Sequence, residues 1–179
     1  MQIIGKKIVH FEEIDSTNEE ARRLIKRGEG AEGSVLIADR QTRGRGKPGS
    51  AWFSPEGNLY LSAIVKPRRN PKDLAPITML GALAGRSAIA KISKLPVVIK
   101  WPNDLLVNSR KVGGVLVERV LAGHLIIGIG INVNSLPEEV QDQATSLKIE
   151  SKQSFPIEGL IEILISELDK EYLAYLSKV

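Results

Sequence analysis

The sequence predicts an α+β fold, a mixed, largely antiparallel sheet with helices packed on one face. Two observations predict it. Apolar, β-branched runs cluster along the chain with turn residues between them, and Asn108-Ser109 separates two such runs at hairpin spacing. Strictly alternating strands and helices, the pattern of a parallel fold, are not what the sequence shows.

Taken in order, a short apolar segment (Ile8, Val9) precedes Asp15-Ser16-Thr17-Asn18-Glu19, which reads as a helix start. Ser16 and Glu19 have capping-box spacing, the hydroxyl serving an orphan N–H while the carboxylate reaches back. Ala21, Leu24 and Ile25 form the apolar stripe of this helix, and Gly28 ends it. Residues 35–38 read as a buried strand, and residues 41–57, rich in glycine, proline and charge, as a long loop of the functional or mobile kind. Residues 59–65 form a strand closed by Pro67. Residues 74–92 form a helix whose Gly81, Ala84, Gly85 and Ala88 permit close packing on a sheet, and whose Arg86 argues against lipid. Strands follow at 97–100, 105–107, 111–118 and 125–133, with Asn108-Ser109 as the hairpin turn. Ile157, Leu160, Ile161, Leu164, Ile165, Leu168 and Tyr172 repeat at helical spacing and give an amphipathic C-terminal helix.

The 179 residues suit one domain, with 42% hydrophobic and 26% charged residues. No apolar run approaches the ~20 residues of a membrane span, and the N-terminus lacks the pattern of a signal peptide. The absence of cysteine removes disulfides, thiolate nucleophiles and thiolate-bound zinc, and fits a cytoplasmic protein. With two histidines, His10 and His124, far apart in the chain, the sequence argues against a histidine-based metal site. Lysine and arginine total 25 against 21 acids, a net charge of +4 that suits an anionic small molecule or acidic partner at least as well as nucleic acid. Arg40, Arg43, Arg45 and Lys47 fall in one stretch with no acid, either a solvated face or an anion-binding loop.

Gly44-Arg45-Gly46-Lys47-Pro48-Gly49 spells G-x-G-x-x-G, yet Pro48, Gly49, Ser50 and Pro55 prevent the helix that a dinucleotide fingerprint opens. A Walker A loop fails too, because Pro48 follows Lys47. As a glycine-rich basic loop the stretch can bring backbone amides, Arg45 and Lys47 to a phosphate or carboxylate, and order around that ligand.

Six segments in order resemble the catalytic domain of biotin protein ligases: Asp15-Ser16-Thr17-Asn18; Gln41-Thr42-Arg43-Gly44-Arg45-Gly46; Trp52-Phe53-Ser54-Pro55 with Gly57-Asn58-Leu59; Lys100-Trp101-Pro102-Asn103-Asp104; Lys111-Val112-Gly113-Gly114-Val115-Leu116-Val117-Glu118; and Gly128-Ile129-Gly130-Ile131-Asn132-Val133-Asn134. The resemblance implies the catalytic fold shared with class II aminoacyl-tRNA synthetases. It also implies an ATP-dependent ligase with biotin as substrate and Mg²⁺ accompanying ATP. Biotin's carboxylate attacks the α-phosphate to give biotinyl-5′-AMP, and a lysine of a carboxylase carrier domain then displaces AMP. Such chemistry needs aligned anions and positive charge instead of a nucleophilic side chain.

By resemblance, Ser16, Thr17, Asn18, Gln41, Gly44, Arg45, Gly46, Lys47, Lys111 and Gly114 contact biotin. Arg45, Lys47, Trp52, Lys100, Asn103 and Asn132 contact ATP or the adenylate, with Asn103 orienting Mg²⁺ through phosphate. Arg45, Lys111 and Asp104 carry the chemistry, Asp104 by taking a proton from the incoming amine. Several have plainer alternatives: helix capping for Ser16, turn chemistry for Asn103-Asp104, a backbone-bonding role for Asn132 and surface exposure for Lys111. Trp101 reads as packing. Lys47 and Ser50 depart from arginines common in the family, so retention of the adenylate would be looser.

The expected organisation is one catalytic domain over residues 1–179, without the N-terminal winged helix or the C-terminal β-barrel of relatives; the missing winged helix implies no DNA partner and the lack of a long apolar run no membrane, and a homodimer stays open. A lipoate or octanoate ligase is the nearest rival, against which Gly44-Arg45-Gly46 and the Lys100–Asp104 motif look like the biotin branch. A non-catalytic biotin- or adenylate-binding module is the rival of another class. Intact Arg45 and Lys111 weigh against it, while Lys47, Ser50 and the missing β-barrel weigh for it.

Overall fold

A computed structural model describes residues 2–47, 49–68, 71–136, 140 and 143–178. In chain order the elements are β1 (Lys7–Ile14), α1 (Thr17–Lys26), β2 (Ser34–Gln41), β3 (Leu59–Val65), α2 (Ala75–Ser93), β4 (Val98–Lys100), β5 (Asp104–Val107), β6 (Arg110–Arg119), a 3₁₀ turn at Leu121–Gly123, β7 (Leu125–Ile131), α3 (Leu147–Ser151) and α4 (Ile157–Leu176). The seven strands make one sheet in the order β1-β2-β3-β7-β6-β5-β4. Only β1–β2 is parallel, joined through α1; every other pairing is antiparallel.

The mixed, largely antiparallel sheet is as expected, and so is the hairpin. Asn108 and Ser109 have φ of 48° and 64°, the left-handed pair that matches strand twist in a two-residue turn. Glu150 pins this turn by accepting bonds from Asn108 Nδ2 (2.6 Å) and Arg110 Nη2 (2.6 Å). The expectation of helices on one face holds for α2 and α4 but not for α1. Side chains alternate along a strand, so Val35, Ile37, Ala63, Val65, Leu125 and Ile127 join the core with α2 and α4. Leu36, Ile64 and Ile126, one residue out of phase, face Ala21 and Ile25 of α1 on the other side. Burial from both sides explains why β3 is buried throughout.

Other differences have local causes. The segment expected at Ile8-Val9 is an eight-residue strand, because its ladder with β2 is made by backbone whatever the side chains. Its alternation is blurred at a sheet edge, where Ile8 is exposed. Gln41, expected in a loop, closes β2. The short α3 has too few residues to show a period; Ser146 caps it by accepting from Ile149 N at 3.2 Å. The chain ends meet through Asp169 of α4, whose Oδ1 accepts from Ile3 N at 2.8 Å and Ile4 N at 2.7 Å. Among the described residues no helix is long and apolar enough to cross a membrane.

Candidate active site

The face that α1 covers at one end of the sheet is open at the other, and a cavity of about 190 Å³ lies there. Its floor is the register Tyr60↔Gly130↔Gly114 and Ser62↔Gly128↔Leu116 across β3, β7 and β6. The two glycines of β7 are required by close approach. A Cβ on Gly128 would sit 2.3 Å from Asn18 Oδ1, and one on Gly130 would sit 2.7 Å from the Trp52 indole. Tyr60 donates from its hydroxyl to Pro55 O at 2.7 Å, and burial pushes that hydroxyl's pKa upward.

One end of the cavity is neutral and densely hydrogen-bonded. Gln41 Oε1 accepts from Thr17 N (2.8 Å) and Thr17 Oγ1 (3.2 Å), while Gln41 Nε2 donates to Ser54 Oγ (2.9 Å). Beneath them the buried Ser62 hydroxyl donates to Asn18 Oδ1 at 2.5 Å and lies 2.7 Å from Thr17 Oγ1. Asn18 Nδ2 donates to Glu118 Oε2 at 2.8 Å. Ser16 caps α1, but its hydroxyl accepts from Glu19 N only at 3.5 Å, the outer limit for such a bond. The reciprocal half of the expected capping box does not form. Ser16 N donates instead to Asp15 Oδ1, and Glu19 turns its carboxylate to Arg45. Asp15 is gripped bidentately by Arg23 (2.7 and 2.8 Å), and that hydrogen bonding lowers its pKa to about 2.

The other end carries charge. Between β5 and β6 the register runs Asp104↔Gly114 and Leu105↔Gly113 but then Leu106↔Lys111, so Val112 is an extra, bulged residue. In a regular strand Lys111 and Gly114, three apart, would face opposite sides. The bulge puts both on the cavity side, where a Cβ on Gly114 would lie 3.3 Å from Lys111 Cε. Lys111 Nζ is 2.7 Å from Asp104 Oδ1 and 5.2 Å from the centre of the Trp52 ring. Beside them Asn103 Nδ2 donates to Val115 O at 3.2 Å, while its buried Oδ1 has no hydrogen-bond partner.

The basic loop forms the roof, and it is not the irregular segment expected. Arg45 bridges Ala51, Gly46 N donates to Ser50 O (3.1 Å) and Trp52 N to Gly44 O (3.0 Å), a small hairpin with Gly49 at φ +85°. Pro48 lies outside the described residues. The Arg45 guanidinium pairs with Glu19 and, at 3.2 Å, with Glu118, which also holds Arg22 at 2.7 Å. Two carboxylates and two guanidiniums thus close the roof onto α1 and β6.

Of the residues singled out from sequence, Ser16, Thr17, Asn18, Gln41, Arg45, Gly46, Lys47, Trp52, Asn103, Asp104, Lys111 and Gly114 line this cavity. Gly44, Lys100 and Asn132 do not. Gly44 is a glycine because a Cβ there would lie 2.3 Å from Trp52 O. Lys100 is exposed on β4, and Asn132 donates its amide to Thr145 O at 3.1 Å, the backbone role that was its alternative. Trp101, expected to pack, is 71% exposed. Sequence reasoning gave no role to Ser62, Glu118, Gly128 or Gly130; glycines two apart in an otherwise apolar strand were the available signal.

The model of the biotin/lipoate A/B protein ligase family matches residues 10–132. The bifunctional ligase/repressor BirA of Bacillus spizizenii is 34% identical, the alignment covering 98% of this chain and 57% of that protein. The biotin–[acetyl-CoA-carboxylase] ligase of Mycobacterium tuberculosis is also 34% identical, over 74% of this chain and 51% of its own length. This chain therefore spans about half the length of the curated relatives it matches. Among solved structures, the biotin protein ligase of Aquifex aeolicus in complex with biotin and ATP superposes with a TM-score of 0.86 at 34% identity, covering 97% of this chain and 73% of that one. An archaeal lipoate protein ligase from Thermoplasma acidophilum, 12% identical with a TM-score of 0.68, shares the fold. With the family model matched over more than half the sequence and a cavity built from its motifs, the chain belongs to the biotin/lipoate A/B protein ligase family.

Proposed function

We propose that this chain activates biotin with ATP to biotinyl-5′-AMP and transfers the biotinyl group to a lysine of a carboxylase carrier domain. The observation that carries the reading is the division of one cavity into a neutral hydrogen-bonding end and a cationic end. Ser16, Thr17, Asn18 and Gln41 offer paired donors and acceptors to a ureido ring, which has two N–H groups and a carbonyl to match them. A dithiolane ring or an alkyl chain has neither and gains no hydrogen bond from that polar end, which disfavours lipoate and octanoate.

At the cationic end Lys111 stands where the carboxylate oxygen meets the α-phosphate. As the new O–P bond forms and the bond to pyrophosphate breaks, its ammonium offsets charge gathering on both anions. Lys47 adds charge from the roof, Arg45 adds it when an anionic ligand takes the place of Glu19 and Glu118, and the Trp52 indole gives adenine an apolar surface. Asn103 Oδ1, an unpartnered hard oxygen, suits the Mg²⁺ that arrives with ATP and shields the phosphates. In the second step Asp104 takes the proton of the acceptor amine, freed for this as Lys111 turns to phosphate. Pyrophosphate release with biotin, lipoate and octanoate at equal concentration tests the reading. Biotin is expected to be fastest by a wide margin, and a faster rate with either rival would reverse the assignment.

A further inference from the structure

Resting on this ligase reading, we infer that the outer face of β4 and the adjoining Trp101 form the docking surface for the acceptor protein, and that the partner offers its lysine from an acidic surface with an apolar centre. Side chains of β4 alternate: Ile99 packs into the core with α2, whereas Val98 (63% exposed) and Lys100 project from the opposite face. That face is the cavity's own. Lys100 pairs with Asp104 and Val98 with Leu106, so the platform runs without a break into the wall holding the Lys111–Asp104 pair. Trp101, at the tip of the β4–β5 hairpin, is two residues from cavity-lining Asn103. On the roof side Phe53 (58% exposed) follows cavity-lining Trp52. Large exposed apolar side chains at a cavity rim mark a surface that a partner covers, and tryptophan is the residue most often central to one.

Charge gives the partner's character. Residues 94–103, which lead into β4 and form it and the tip of its hairpin, contain no acid, and their two lysines, Lys94 and Lys100, are exposed. Lys100 stands on the platform itself. Transfer requires the acceptor amine to reach the acyl carbon: the N–C bond forms, the C–O bond to phosphate breaks, AMP leaves with that electron pair, and the amine proton passes to Asp104. A folded acceptor brings a lysine to that point only by resting on the rim, and an acidic surface rests there most favourably.

Trp101→Ala and Val98→Glu test this in the whole chain, with three readouts: pyrophosphate release from biotin and ATP without acceptor, transfer to hydroxylamine, and transfer to the isolated carrier domain of an acetyl-CoA carboxylase. The first two should stay within about two-fold of the unaltered protein, which also shows that the variants fold. For the carrier domain kcat/KM should fall about ten-fold or more, mainly through KM, as for loss of a central interface side chain. Raising salt from about 50 to about 500 mM should raise KM for the carrier and leave hydroxylamine transfer unchanged. Equal losses with hydroxylamine and carrier would assign the platform to the nucleotide site and overturn the inference, as would unchanged carrier kinetics or a change of mass in solution showing that a second copy covers it. An unaltered protein that releases no pyrophosphate with biotin would instead overturn the ligase reading, and this inference with it.

Discussion

Replacing Lys111 with alanine removes the one cation that the β6 bulge delivers to the cavity wall, and the loss can be sized. An ammonium about 4 Å from a phosphate oxygen, at an effective dielectric of about 20, contributes roughly 4 kcal/mol. Mutations that delete one preorganised donor to developing charge cost about 10² to 10³ in rate, or ~2.7–4 kcal/mol. The two figures agree, so Lys111→Ala should slow adenylate formation by a few hundred-fold. Asp104 makes the loss worse, because its carboxylate, 2.7 Å from Nζ in the unaltered protein, is left unneutralised beside the incoming phosphates. Stability should change little. The pair is partly solvated, with the lysine side chain 35% exposed, and such pairs contribute about 1 kcal/mol or less. For a domain of this size that shifts Tm by about 2–4 °C. Single-turnover pyrophosphate release with biotin and ATP, run beside a melting curve, is the assay. Biotin affinity by calorimetry should fall less than the rate, since the ring contacts lie at the other end. Near-normal adenylation by a folded Lys111→Ala protein would refute the reasoning and return Lys111 to an ordinary surface ion pair.

Asp104→Ala should spare adenylation, which releases no proton to a base, and slow transfer to the carrier domain by about 10² or more, read as accumulated biotinyl-AMP in a quench assay. Gly128→Ala puts a Cβ 2.3 Å from Asn18 Oδ1, so Asn18 must leave its bond with Ser62; KM for biotin should rise at least about ten-fold with kcat changed less. Glu118→Gln should loosen the roof, with amide exchange across residues 44–52 faster in the ligand-free protein, whereas unchanged exchange would show that Glu19 alone holds Arg45. Asp15 has a folded pKa of about 2 against 3.8 unperturbed. A depressed carboxyl stabilises above its unfolded pKa and loses that contribution as pH falls through the folded one. The Tm difference between the unaltered protein and Asp15→Asn should therefore be steady above about pH 5 and vanish toward pH 2.

Much of the fold was legible because strands covered on both faces must be mainly apolar, and residues 59–65, apart from Ser62 and the Tyr60 hydroxyl, and most of 125–133 are. The side on which α1 lies was not, since a helix stripe such as Ala21-Leu24-Ile25 states that a face is buried without naming the sheet face beneath. Beta strand 1 was read short for a related reason. A parallel edge strand is fixed by its neighbour's backbone, and Lys7, Glu12 and Glu13 carry no trace of that. At the site, the motif residues that line the cavity were found through their resemblance, and their grouping into a neutral and a cationic end required coordinates. The Val112 bulge illustrates why: a one-residue change of register is invisible in spacing, yet it decides which face Lys111 occupies. Arg45 was read as a cation for phosphate or carboxylate, but acids distant in sequence, Glu19 and Glu118, hold it.

The strand order has a consequence for how the molecule is made. Of the seven strands of this sheet, β7 comes last in chain order, yet it lies in the middle, between β3 and β6. Until residue 131 has emerged, the half bearing α1 and Gln41 and the half bearing Asp104 and Lys111 share no ladder, and both expose unpaired edges. Pairing β7 with β3 closes a loop of some sixty residues, the kind of distant contact that slows folding and leaves intermediates prone to edge-to-edge association. Gly128 and Gly130 lie in this same strand, and glycine weakens strand propensity where speed matters most. The flanking isoleucines at 126, 127, 129 and 131 offset that, so the keystone of the sheet is a stretch of very strong and very weak strand formers side by side. A nascent chain is thus committed to the cavity in one late event, and substitutions in β7 that leave the finished site intact should still lower the yield of folded protein.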